Sequence, residues 1–85
     1  MRYQEGLDST KDWLKSHSKV EISDVLERAG LSDTKAKMIL LRYCEEKARL
    51  HASEALGMSE SSYSHKMTQA LVKVKSVLRF LGFID

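Results

Sequence analysis

The chain contains no proline and a single cysteine, Cys44. Without proline the commonest helix breaker is missing, so breaks must come from glycine, serine and aspartate. One cysteine excludes a disulfide within the chain and a cysteine-based zinc site. Long apolar runs are also missing. The longest is Met38–Leu41, far short of the roughly 20 residues that span a bilayer. The opening "MRYQEGLDSTKDW" lacks the apolar centre of a signal peptide, so the expectation is a reduced, cytoplasmic location with no membrane association. Catalytic patterns are absent too: there is no nucleophile–histidine–acid spacing, no glycine-rich phosphate loop and no carboxylate cluster. His17, His51 and His65 show no ligand spacing. No enzyme activity, metal or cofactor is expected.

What is present reads as helix. The 85 residues are 42% hydrophobic and 31% charged, enough for one domain with a modest core. Net charge is only +2, but it is unevenly spread. Residues 1–32 hold five Lys/Arg against six acids, and residues 33–85 hold nine against six. The excess points to a basic face near the C-terminus.

Five helices follow from caps and periodicity. Asp8 or Ser9 is expected to cap a first helix running to about Lys15, with Trp13 and Leu14 inward. Ser18 and Glu21 form an S-x-x-E capping box before Ile22, Val25, Leu26 and Ala29. Gly30 ends that helix and Leu31 supplies the apolar contact that often follows. Ser32 or Asp33 opens a third helix, "MILLRYC", apolar nearly all round and so packed on two sides. Residues 48–56 form a short fourth helix with Leu50, Ala52, Ala55 and Leu56 apolar. Gly57 stops it and Ser59 caps the last helix. There Tyr63, Met67, Ala70, Leu71, Val74, Val77, Leu78 and Leu81 recur at helical spacing for about five turns. Gly82 ends it. Phe80, Phe83 and Ile84 either close that end or form a dimer patch. The predicted fold class is all-α, a compact domain of about five helices with a C-terminal helix-turn-helix.

The turn at Gly57 carries the functional argument. A helix-turn-helix needs a small residue where the helices cross, a turn residue tolerant of positive φ, and a large apolar side chain early in the second helix. Ala52 and Ser53, Gly57, and Tyr63 meet the three demands in order. The rival turn at Gly30 has Leu26 where a small residue is needed and Ala36 where a large one is needed.

From Leu31 onward, "LSDTKAKMILLRYCEEKARLHASEALGMSESSYSHKMTQALVKVKSVL" resembles the promoter-reading C-terminal domain, region 4, of bacterial sigma factors. "ILLRY" is similar to the leucine-rich end of that domain's first helix. "HASEALGMS" sits on the family's Glu-Ile-Ala-x-x-Leu-Gly-x-Ser, and "SESSYSHKMTQALVKVKSVL" on its recognition helix. His51, Ala52 and Ser53 depart from Glu-Ile-Ala, Tyr63 stands where valine is typical, and Lys66 is polar where related motifs are often apolar. Within 85 residues no room is expected for the family's promoter-melting domain. The resemblance is therefore to small stand-alone regulators of phages and mobile elements, with residues 1–31 as an N-terminal helical extension and 32–85 as the sigma-like part.

With Tyr63, Met67, Ala70 and Leu71 turned inward, base-contact candidates are Ser61, Ser62, Ser64, His65, Thr68 and Gln69. Phosphate candidates are Lys47, Arg49, Ser59, Lys66 and Lys73. No arginine stands among the base readers, and Glu60 opposes phosphate unless it reads cytosine or caps the helix. The expected partner is double-stranded DNA, bound weakly by a monomer and aided by a homodimer or by RNA polymerase. The function expected is sequence-specific transcription regulation. The alternative is an interaction module that binds polymerase or a host factor through Lys35–Arg42 without reading DNA. A packaging or recombination accessory would use the same motif.

Overall fold

A computed structural model describes the backbone of residues 3–84 and the side chains from Leu7 to Ile84. Arg2 and Asp85, which enter the charge balance, lie outside the described residues. The helices are α1 (Tyr3–Ser16), α2 (Lys19–Arg28), α3 (Asp33–Tyr43), α4 (Arg49–Ala55) and α5 (Glu60–Phe80), and there is no strand among the described residues. The protein is all-α.

The first helix starts earlier than its capping residues suggest. Asp8 and Ser9 lie inside α1 and are exposed, not at its N-cap. The cause is burial: Leu7, Thr10 and Leu14 follow helical spacing on one inward face, beside Trp13, so the buried stripe already begins at Leu7, ahead of the polar pair. At the other end His17 finishes the helix. Its Nδ1–H donates to the Trp13 carbonyl at 2.7 Å, and its ring stacks on the Trp13 indole with centroids 3.9 Å apart.

The other starts follow local chemistry. The Glu21 amide donates to Ser18 Oγ at 3.3 Å, and the Ser18 amide donates to Glu21 Oε1 at 3.1 Å, completing the box at α2. The Ser18 amide, joined by the Ser18 hydroxyl, which donates to the same oxygen at 3.0 Å, holds the Glu21 carboxyl below its usual range. Ser32 caps α3 by accepting from the Lys35 amide, and Ser59 caps α5 by accepting from the Ser62 amide. Ala48, at the start of α4, makes no side-chain cap.

Helix α5 is the spine, touching each of the other four helices, while α3 packs against α2, α4 and α5. The two-sided packing of α3 is visible residue by residue. Ile39 joins the main core with Leu14, Ile22, Val25, Leu26, Leu71, Val74 and Leu78. Met38, its neighbour, joins a second cluster with Ala52 and Tyr63. Cys44 packs at the edge of the main core, where burial pushes its thiol pKa up and keeps it protonated.

Two apolar expectations do not hold on α4. Leu50 and Ala55 are exposed, because α4 is only seven residues long and turns its Ala52–Ser53 edge inward. At the C-terminus, the Phe83 amide donates to the Leu78 carbonyl and its ring stacks on Trp13 at 5.6 Å. Ile84 packs on the core, so these two residues close the end of α5 against α1. Phe80 does not: it is 89% exposed.

Candidate nucleic-acid interface

The α4–turn–α5 unit is held at its crossing by three side chains. Ala52, fully buried, lets α5 approach α4 closely. Tyr63, one turn into α5, fills the space between them and α3, and its hydroxyl donates to the Met38 carbonyl at 3.4 Å. Ser53 is also buried; its hydroxyl donates to the Leu50 carbonyl at 2.8 Å, so the small residue brings no unpaired polar atom into the crossing. Gly57 adopts φ +69°, the Gly57 amide donates to the Glu54 carbonyl and the Met58 amide to the Ser53 carbonyl. That is a Schellman ending, which demands a left-handed residue at the glycine position. Leu56 and Met58 pack beneath it.

With the inner face of α5 locked, its outer face is determined. Ser61, His65 and Gln69 are exposed and recur every four residues. The Gln69 amide lies 3.3 Å from His65 Nε2, in reach to donate to it, so the two side chains share one stripe. Lys66 and Lys73 are exposed on its flank, and Lys35 of α3 joins His65, Gln69, Val72 and Lys73 around a shallow groove of about 630 Å³. Lys35 was not among the phosphate candidates. Nothing in the linear order signals it, since it stands thirty residues before His65.

The remaining base candidates do not all share that stripe. Ser62 is half-buried. Ser64 and Thr68 are also half-buried; the Thr68 hydroxyl donates to the Ser64 carbonyl at 3.1 Å, and both residues line a second groove on the other flank, Thr68 bordering the first groove as well. Among the phosphate candidates, Arg49 is engaged. Its Nε donates to Glu60 Oε2 at 3.2 Å, and its Nη1 lies 3.5 Å from Ser64 Oγ. The pair answers the question Glu60 raised: its charge is offset by Arg49 and lies in the first turn of α5, where the helix dipole favours an acid. Both partners are largely exposed, so the pair contributes about 0.2–1 kcal/mol and can open toward a stronger anion. Ser59 spends its oxygen on capping and keeps a hydroxyl proton to donate. Lys47 is exposed beside the start of α4, where its carbonyl accepts from Arg42 at 3.4 Å.

The described residues contain no cluster of three metal-ligating side chains, and no described helix is long and apolar enough to cross a membrane. Compared with known proteins, the chain matches no family model, no curated protein and no solved structure.

Proposed function

We propose that this protein is a sequence-specific DNA-binding transcription regulator that inserts the N-terminal half of α5 into the major groove as a helix-turn-helix. One observation carries the reading. Tyr63, Ala52 and Met38 hold the inner face of α5, and this leaves Ser61, His65 and Gln69 as one exposed polar stripe with lysines on its flank. Polar groups at that spacing can meet successive base edges, Gln69 with adenine and His65 or Ser61 with several bases. Lys66 and Lys73 on one flank supply phosphate affinity without sequence choice. The likeness to sigma region 4 over residues 31–78 supports the same assignment, with a cytoplasmic phage or mobile-element regulator as its setting and RNA polymerase as a second partner.

Fluorescence anisotropy against duplex DNA at two salt concentrations tests it. Salt-dependent binding at micromolar protein or below is the expected result; none at either concentration removes the reading.

A second reading has its own observation. The stripe lacks arginine, and the nearest one, Arg49, is tied to Glu60. A module that docks on RNA polymerase through α3 without reading DNA fits that mild chemistry. Co-purification with polymerase, together with no duplex binding, selects it.

A further inference from the structure

The second groove, between α1 and α5, has a volume of about 960 Å³ and is lined by four cations. Lys11 and Lys15 reach it from α1, Arg42 from α3 and Arg49 from α4, against one acid, Glu46. With Arg49 offset by Glu60, these side chains still leave a local positive charge equal to the net charge of the whole chain, which is +2. Helical spacing places Lys11 and Lys15 on one face of α1, a turn apart. Neither described ion pair, Arg28–Asp24 or Arg49–Glu60, engages Lys11, Lys15 or Arg42. Arg42 spends one donor on the Lys47 carbonyl, a long contact of 3.4 Å, and keeps the rest of its fork.

The position of this groove identifies its occupant. Ser64 and Thr68, which line it, lie beside the exposed Ser61–His65–Gln69 stripe on the same helix. If that stripe faces base edges, the two phosphate strands run along the flanks of α5, because the major groove is only about 12 Å wide. Lys35 and Lys73 stand on one flank. Lys11, Lys15 and Arg42 stand on the other.

We infer that the α1–α5 groove seats a DNA phosphate strand flanking the recognition helix, held by Lys11, Lys15 and Arg42. The inference rests on the proposed DNA reading and extends it. The N-terminal helix becomes part of the interface, and Lys11 and Lys15 bring from outside the sigma-like part some of the binding energy that the mild stripe lacks. Glu46 acts against it as the one opposing charge at the mouth.

The test uses the full chain and a mixed-sequence duplex of about three helical turns. Each phosphate neutralised adds about 0.9 to the slope of log affinity against log salt. The triple variant Lys11→Gln, Lys15→Gln, Arg42→Gln is expected to lower that slope by about two to three, while keeping the wild-type ranking of duplexes selected from a random pool. Glu46→Gln is expected to tighten every duplex, which gives a gain-of-affinity readout that misfolding cannot imitate. Lys19→Gln, a cation of α2 outside the groove, leaves the slope unchanged. Wild-type binding with an unaltered slope in the triple variant overturns the inference and spares the DNA reading. No salt-dependent binding by the wild type overturns both. Binding of poly-glutamate in place of duplex, lost in the triple variant, assigns the groove to an acidic protein partner and overturns it too.

Discussion

Tyr63 joins the stability of the helix junction to the orientation of α5 at a single position. It is 2% exposed, fills the α3–α4–α5 junction and sets which side of α5 faces out. Tyr63→Ala is expected to cost about 3–5 kcal/mol by the usual penalty for emptying an aromatic site. Tyr63→Phe loses only a long hydrogen bond and is expected to cost under about 1 kcal/mol in urea unfolding. Burial pushes the phenols of Tyr63 and Tyr43 above the ordinary value of 10.0. A raised phenol contributes stability that is whole below its unfolded pKa and lost as pH rises through the folded one. Stability should therefore fall above pH 10, and the fall should be shallower in Tyr63→Phe; equal alkaline profiles for the two proteins refute this. Gly57 is the other decisive residue. A Cβ there meets nothing within 4 Å, so Gly57→Ala clashes with no neighbour and costs only the left-handed backbone penalty, about 1–2 kcal/mol. A larger loss, measured by thermal melting, means that the turn itself has rearranged.

Helix ends show where sequence and structure agree most closely, and where they part. The boxes and caps at Ser18, Ser32 and Ser59 close hydrogen bonds across three residues, so their partners are adjacent in the chain. Ser18→Ala is expected to lower Tm by about 4–8 °C, the effect of a lost N-cap in a domain this small. The capping interaction also has a pH signature. Glu21 is held below its usual range by the Ser18 amide and hydroxyl. Its contribution is present above the unfolded pKa and disappears as pH falls through the folded one. Wild type should lose stability toward acid more steeply than Glu21→Gln; parallel acid limbs contradict that. Helix α1 lacks such clarity. Asp8 and Ser9 are good capping residues, yet they sit mid-helix, because burying Leu7 and Thr10 outweighs the cap they would make. The Thr10 hydroxyl is buried without a partner among the described residues, so Thr10→Val, which keeps the shape and removes the polar atom, is expected to raise Tm.

At the scale of the molecule, the two flanks of α5 differ in origin. The outer stripe belongs to one helix and can be read from its periodicity. Beside Lys66 and Lys73 of α5 itself, the flanking cations are brought from α1, α3 and α4 by the packing of those helices on α5. The DNA reading predicts different losses for the two sets. His65→Ala and Gln69→Ala should flatten preference among duplexes, each by about 1–3 kcal/mol at the position it reads. Lys66→Ala should weaken all duplexes alike and lower the salt slope by about one. Anisotropy with a panel of single-base variants separates them. Equal losses on every duplex from Gln69→Ala count against base reading. Phe80 is the most exposed large apolar side chain of the described residues, and Phe83, three residues on, is exposed as well.

The sequence by itself determined the five helices, four of their starts to within a residue, the turn at Gly57 and the inward face of α5. Those features depend on hydrogen bonds, φ preferences and apolar periodicity acting within a few residues, where the chain order is the spatial order. Only the tertiary structure decided that α1 begins before its polar pair, that Arg49 belongs to Glu60, and that Ser64 lines the α1–α5 groove while Thr68 borders the grooves on both flanks. It alone brought Lys11, Lys15 and Arg42 to one groove. Such groupings arise when distant helices bury their apolar faces together, and the surface charges go where that packing carries them.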